Sequence, residues 1–150
     1  MRGFEFIRSY RFSGLALPER KTAFSAGYDL AAAESVNISP GQVAMIPTGL
    51  KAYMQQDEFL GIHIRSSLAL HHKLCLINSQ GIIDADYYNN PSNEGHILIA
   101  VINLSDKEAF IEKGSRVAQG IFYKFLTTDH DVKAEQNTVR TGGFGSTGHS

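Results

Sequence analysis

Residues 39–65 read SPGQVAMIPTGLKAYMQQDEFLGIHIR, a stretch in which turns and short apolar runs alternate. It contains short apolar runs at 42–46, 50–54 and 59–65, and the glycine-containing turns SPG and PTG precede the first two. Apolar runs of about four to eight residues between such turns are typical of β-strands, because a helix needs a longer periodic segment. The stretch therefore predicts three successive strands.

The same alternation of short apolar runs and turns continues over most of the chain. Further strands are predicted at 4–8, 28–32, 74–77, 96–104 and 116–125. Turn signals at this density predict an all-β sandwich or barrel. The run at 96–104 is almost continuously apolar, which predicts a strand covered on both faces. One short helix is expected at Ser66–Lys73, whereas the capping-box pattern at Ser105–Glu108 is interpreted as a coincidence because Gly114 follows closely.

Length and composition indicate a single domain with a packed core. The chain has 150 residues, of which 43% are hydrophobic and 19% charged, and its net charge is -1. This nearly balanced charge argues against a disordered tail and against a general nucleic-acid binder. No apolar run approaches the roughly 18 residues of a membrane span, and the charged residues among 1–11 are not typical of a signal peptide. With a single cysteine, Cys75, and hence no internal disulfide, we expect a cytoplasmic protein with neither a nucleic-acid nor a membrane partner.

Two carboxylates stand close together in the segment GIIDADY at 81–87, shortly after a turn that begins at Asn78. A carboxylate beside a bound ligand can hold a water molecule and accept its proton, which is the role of a general base. Two carboxylates this close can perturb each other's titration, so that one can act as the base while the other is structural. By itself, however, an Asp-x-Asp after a turn is more often an ordinary surface turn.

Arg65, Ser66 and Ser67 follow the alternating segment 61–64, where a predicted strand ends. In that position an arginine can contact phosphate with two parallel hydrogen bonds, while the serines and the next amides donate from the start of a short helix. The alternative is an ordinary surface arginine followed by a serine that caps the helix.

The C-terminal segment RTGGFGSTG at 140–148 is rich in glycine and hydroxyl side chains and contains one aromatic residue. It cannot form a core of its own, and two interpretations remain open. It is either a frayed terminus or a flexible arm that orders over an anionic ligand, with amides and hydroxyls donating to phosphate and Phe144 offering a stacking face.

Read together and in order, five segments resemble the five motifs of the trimeric dUTPase family. They are AGYDL at 26–30, RSSLA at 65–69, GIIDADY at 81–87, RVAQ at 116–119 and GGFGSTG at 142–148. The resemblance implies hydrolysis of dUTP to dUMP and pyrophosphate with Mg²⁺ on the triphosphate. It also implies a distorted, jelly-roll-like β-barrel over residues 1–139, a glycine-rich arm at 140–150 that closes over an active site, and a homotrimer with its active sites at subunit interfaces.

The resemblance also implies roles for single residues. Asp84 would hold the water that attacks the α-phosphate, and Asp29 would orient waters around Mg²⁺. Asn78 and Gly81 would sit on a hairpin whose backbone reads the uracil edge, and Tyr87 would pack against the sugar and leave no room for a 2′-hydroxyl. On a straight strand Asp84 and Tyr87 would face opposite sides, so both can line one site only if the chain bends. The remaining substrate contacts implied are Arg65, Ser66, Ser67, Gln119, Arg140, Phe144, Gly145, Ser146 and Thr147.

Two other functions compete with this interpretation. A dCTP deaminase shares the fold and the Arg-Ser-Ser segment, but that family continues with a further arginine where this chain has Leu70, and it lacks the segment at 142–148. The second alternative is a module of the same fold that mainly binds a protein partner, which the sequence does not identify. The extended loop Tyr88–Glu94, which stands where the family usually turns at once, is the feature that could serve such a partner.

Overall fold

Eleven short strands and one helix are distributed over residues 1–131, the part of the chain that this computed structural model describes. The strands are β1 (Gly3–Phe6), β2 (Tyr28–Ala31), β3 (Val36–Ile38), β4 (Val43–Pro47), β5 (Leu50–Tyr53), β6 (Glu58–Ile64), β7 (Leu74–Leu76), β8 (Gly81–Asp84), β9 (Leu98–Asn103), β10 (Ala109–Ile111) and β11 (Arg116–Lys124). The helix α1 spans Ser66–His72, and 3₁₀ turns occupy Arg8–Tyr10 and Ala85–Tyr87.

Four antiparallel sheets surround one apolar core. Their strand orders are β1-β5, β10-β3, β2-β11-β6-β8 and β4-β9-β7. Each sheet contributes buried side chains to the same core, among them Phe4, Ile38, Leu60 and Val101. Within the described residues these ladders do not close into one continuous barrel. The arrangement confirms the predicted all-β, distorted jelly-roll-like fold.

The sequence pattern predicts none of the strands β3, β8 and β10. β3 and β10 hold three residues each and pair with one another across about 70 residues of sequence, and β8 holds four. Segments this short offer too few positions for an alternating pattern to stand out. The long apolar run behaves as predicted, because residues 99–101 of β9 are all buried. It begins two residues late, since the amide of His96 still donates to the carbonyl of Asn93 in a turn.

The helix α1 confirms the single predicted helix. It ends at His72, and Lys73 takes a left-handed conformation with a φ of 52°. Residues 105–108 form no helix, so the capping-box pattern there is indeed a coincidence. Among residues 1–131, no helix has both the length and the apolar character that crossing a membrane would require.

Candidate active site

The sheet β2-β11-β6-β8 turns one face towards the core and the other, which we call the outer face, away from it. On β6, Leu60 points into the core and is fully buried, so its neighbour Phe59 lies on the outer face. The register places Asp84 directly opposite Phe59. The same alternation puts Gln119 on this face, with Asp29 opposite it on β2. Three predicted site residues from three strands therefore share one surface.

Five predicted residues lie at one end of the outer face and form what we call the Arg65 cluster: Asp29, Arg65, Ser66, Ser67 and Gln119. Arg65 directly follows β6, and its amide donates to the carbonyl of Val117 on β11 at 3.0 Å. Its side chain is half-buried and forms no ion pair within residues 1–131. The serine-cap alternative is wrong, because Arg65 occupies the N-cap position of α1 and no side chain bonds there.

Gln119 lies very close to the main chain that leads into β2. A Cβ atom added to Gly27 would clash with Oε1 of Gln119 as that side chain lies. Only glycine at position 27 therefore allows Gln119 its observed orientation. The glycine of the AGYDL segment thus packs closely against a side chain of another motif, a contact that the sequence pattern alone does not reveal.

Asp29 is paired with Arg116, a residue without a predicted role. Nη1 of Arg116 lies 3.4 Å from Oδ2 of Asp29, and the two side chains are 49% and 22% exposed. A pair this exposed adds little stability, but it restrains the carboxylate. Within residues 1–131, no three His, Cys, Asp or Glu side chains converge on a common metal position. Asp29 still fits Mg²⁺ chemistry, because an ion that keeps its waters on substrate phosphates needs only one or two carboxylates nearby.

The second group of predicted residues, which we call the Asp84 cluster, runs from Asp84 to Tyr87. β8 ends at Asp84, and the chain then bends into the 3₁₀ turn Ala85–Tyr87. The bend that Asp84 and Tyr87 need in order to approach one site is therefore present. A pocket of about 480 Å³ adjoins this turn, and it is lined by Met54, Gln56, Asp84, Ala85, Asp86 and Phe125.

Tyr87 is turned inward and only 5% exposed. Its hydroxyl donates to the carbonyl of His96 at 2.7 Å and accepts a hydrogen bond from Nδ2 of Asn93 at 2.8 Å. Because the hydroxyl already donates one hydrogen bond and accepts another, Tyr87 can contact a ligand by packing of its ring rather than by hydrogen bonding. Asn93 is a residue that the sequence pattern missed, since an asparagine-rich loop looks the same whether or not it contacts the site.

The turn through Asn78 differs from the regular hairpin that the resemblance implied. β7 pairs with β9 whereas β8 pairs with β6, so the strands on the two sides of the turn belong to different sheets. Asn78 is exposed at this turn, Ser79 has a φ of 65°, and Gly81 begins β8 opposite Ile62. The main chain from Asn78 to Gly81 therefore passes from one sheet to the other and is not locked into a single ladder.

The Arg65 cluster and the Asp84 cluster lie far apart within one chain. Asp84 is opposite Phe59, and Arg65 lies six residues further along the chain, just after β6. At roughly 3.3 Å per residue, the two positions are about 20 Å apart. The described chain therefore does not bring Asp84 and Arg65 together. The other predicted contacts lie outside residues 1–131, namely Arg140, Phe144, Gly145, Ser146 and Thr147.

Comparison with known proteins gives one consistent family. A family model described as dUTPase matches residues 14–148. The deoxyuridine 5′-triphosphate nucleotidohydrolase of Lactococcus lactis is 53% identical over 148 residues, which covers 99% of this chain and 98% of that protein. The crystal structure of a dUTPase from Streptococcus mutans has a TM-score of 0.81 and 51% identity, covering 85% of this chain and 98% of that one. A mutant dUTPase from phage phi11 of S. aureus, solved to show how a structural Mg(II) ion is coordinated, is similar in fold, with a TM-score of 0.71, 19% identity and coverage of 86% and 94%.

Proposed function

Because the chain belongs to the dUTPase family and is a dUTP diphosphatase, we propose that it hydrolyses dUTP to dUMP and pyrophosphate at sites shared between copies of the chain. The observation that carries this proposal is the distance between the two clusters on the outer face. The carboxylate that holds the attacking water and the guanidinium that binds the phosphates must both reach the same triphosphate. Since Asp84 and Arg65 of one chain are about 20 Å apart, Asp84 of one copy serves with Arg65 of another.

A head-to-tail contact of this kind closes into a ring, and we propose a homotrimer with three equivalent sites. The outer face is suited to covering by another copy, because Ile82 on β8 is 58% exposed there. Phe59, Ile121 and Tyr123 are only half-buried on the same face, and exposed apolar surface of this extent is typical of an interaction site.

In the proposed mechanism Asp84 is the general base. Its carboxylate holds the attacking water, aims it at the α-phosphorus and accepts its proton as the new bond forms. Asp86 lies two residues further on and is exposed on the 3₁₀ turn. We assign Asp86 no contact with the reacting atoms.

The Arg65 cluster binds the phosphates in this proposal. The half-buried guanidinium of Arg65 offers two parallel donors to phosphate oxygens. Ser66 and Ser67 are exposed at the start of α1 and add hydroxyl donors, and Gln119 adds its amide. Asp29 would hold waters of a magnesium ion on the triphosphate, as expected for a hard cation that keeps its hydration. When bound, the ion would neutralise phosphate charge and polarise the α-phosphorus.

The Asp84 cluster and the turn before it select the nucleoside. Main-chain groups between Asn78 and Gly81 form hydrogen bonds with the uracil edge. A turn that crosses from one sheet to another can offer such main-chain groups. The buried ring of Tyr87 forms a wall against the sugar and leaves no space for a 2′-hydroxyl. We further propose that the segment 140–150 closes over the site, with Phe144 stacked on uracil and with Arg140, Gly145, Ser146 and Thr147 near the phosphates.

Pyrophosphate release from dUTP, UTP, dCTP and dTTP tests this assignment. We expect dUTP to be turned over far faster than the other three, because UTP carries a 2′-hydroxyl, cytosine presents a different hydrogen-bonding edge and thymine carries a 5-methyl group. Comparable turnover of dTTP would contradict the uracil pocket, since its 5-methyl group should clash there. Release of ammonia from dCTP would instead identify a deaminase of the same fold.

A further inference from the structure

The loop Tyr88–Gly95, which we call the 88–95 loop, contacts both the main-chain carbonyl and the side-chain hydroxyl of Tyr87. We propose that this loop fixes the position of the Tyr87 ring and thereby sets how strongly the enzyme prefers a deoxyribonucleotide over a ribonucleotide. The inference rests on the proposed role of Tyr87 as the wall against the sugar, and it makes Asn90 and Asn93 positioning residues for that wall.

Two asparagines of the loop hold Tyr87. Nδ2 of Asn93 donates to the Tyr87 hydroxyl at 2.8 Å, and Nδ2 of Asn90 donates to the Tyr87 carbonyl at 2.8 Å. Asn90 is only 4% exposed, so its amide is committed to the protein interior. A third contact comes from Gly95, where an added Cβ atom would lie 2.7 Å from the Tyr87 carbonyl oxygen. The loop therefore packs directly on the backbone and on the hydroxyl of Tyr87.

The orientation of both amides is fixed by their other hydrogen bonds. Oδ1 of Asn93 accepts from Nδ2 of Asn90 at 2.7 Å and from the amide of Gly95 at 3.1 Å. Oδ1 of Asn90 accepts from the amides of Ser92 and Asn93. Because each oxygen already faces donors, each Nδ2 must be the atom that faces Tyr87.

The loop is in turn tied to the body of the protein. Nζ of Lys51, whose side chain is 10% exposed, lies 2.8 Å from Oε2 of Glu94 and 2.6 Å from Oδ1 of Asn89. The hydrogen bond from Lys51 holds the pKa of Glu94 below its usual value. Asn89 and Glu94 have φ values of 57° and 64°, conformations that non-glycine residues keep only when surrounding contacts fix them. The loop is thus one defined structure rather than a flexible insertion.

His96, whose carbonyl accepts the hydrogen bond from the Tyr87 hydroxyl, is held in place as well. The amide of Gly49 donates to Nε2 of His96 at 2.9 Å, and burial lowers the pKa of this histidine. The carbonyl of His96 is therefore a fixed acceptor for Tyr87. With a donor from Asn93 and an acceptor on His96, the ring is held from both sides, and loss of either contact lets it move away from the sugar.

Asn93→Asp isolates the contact from Asn93 to Tyr87. The carboxylate keeps an oxygen to accept from Asn90 and Gly95, but it cannot donate to the Tyr87 hydroxyl. The single proton of that hydroxyl can then go to the new carboxylate or to the His96 carbonyl, so one of its two hydrogen bonds is lost. We expect the ratio of kcat/KM for UTP to kcat/KM for dUTP to rise roughly three- to tenfold, the effect of one neutral hydrogen bond. The kcat for dUTP should change by less than about twofold, because Asp84 is untouched. Ser92→Ala is the matched control, since its exposed side chain lies in the same loop, and it should leave both values unchanged.

A double-mutant cycle with Tyr87→Phe decides whether Asn93 acts through the hydroxyl. Tyr87→Phe removes the hydroxyl and with it both hydrogen bonds, so it should raise the UTP ratio at least as much as Asn93→Asp does, and adding Asn93→Asp should raise it no further. If Asn93→Asp does not fold, Tyr87→Phe alone carries the prediction. A wild-type ratio in both single variants, with a raised ratio in Tyr87→Ala, would overturn the loop inference and leave the proposed function intact. A wild-type ratio in Tyr87→Ala would overturn the sugar-wall assignment itself.

Discussion

Asp84→Asn is expected to lower kcat for dUTP hydrolysis by about 10²–10⁴-fold, or roughly 3–5 kcal/mol in the barrier. The substitution keeps the size and shape of the side chain at the end of β8 but removes the group that accepts the proton of the attacking water. Pyrophosphate release at saturating dUTP measures the effect. Binding of a non-hydrolysable dUTP analogue should be much less affected, because the base acts on the water rather than on the nucleotide.

Asp86→Asn is the matched control for this substitution. Asp86 is an exposed carboxylate two residues further on, in the 3₁₀ turn that follows Asp84 and beside the same pocket. Most of the activity should remain in Asp86→Asn. If Asp86→Asn abolishes turnover while Asp84→Asn leaves it intact, the roles of the two carboxylates must be exchanged.

The second large effect is expected for Arg65→Ala, which should lower kcat/KM for dUTP by about 10²–10³-fold, as loss of one well-placed donor to developing charge does. The half-buried guanidinium has no ion-pair partner within residues 1–131, so the variant should fold normally. The kcat/KM of Arg65→Lys should lie between the values of the wild type and Arg65→Ala, because lysine keeps the charge but not the paired donors.

Arg11→Ala controls for the loss of positive charge alone. Arg11 is exposed, and its guanidinium lies 5.6 Å from the centre of the Phe12 ring. Its removal should leave kcat/KM close to the wild-type value. Equal losses in Arg11→Ala and Arg65→Ala would mean that overall charge, rather than a phosphate contact at Arg65, governs binding.

Much of the fold follows from local sequence pattern, because each longer strand shows its own alternation of apolar residues and its own flanking turns. The run at 96–104 and the helix at 66–73 were recognisable for this reason. β3 and β10 were not, because each exists only through pairing with the other across about 70 residues. The divergence of β7 and β8 into different sheets has the same origin, since pairing partners are chosen by the whole core rather than by the turn at Asn78.

The candidate site divides in the same way. The ordered motifs identify Asp84, Arg65 and Gln119 as candidate active-site residues, since their types and spacing are visible in the sequence. Their separation is not visible, because it depends on the register of β8 against β6. The contacts that hold site residues in place are equally hidden. Gly27 beside Gln119 and Asn93 on Tyr87 are contacts between segments whose approach only the folded chain defines.

Activity in mixed assemblies of Arg65→Ala and Asp84→Asn chains tests most directly whether each site is shared between copies. Each variant alone should be nearly inactive, so any recovery must come from mixed assemblies. If Asp84 of one copy serves with Arg65 of its neighbour, a random equal mixture should contain about one quarter of the wild-type number of intact sites, because each of the two positions is intact in half of the copies. Pyrophosphate release from dUTP should therefore return to about a quarter of the wild-type rate. No recovery in assemblies shown to contain both variants would mean that Arg65 and Asp84 of the same chain act together, which would contradict the shared site.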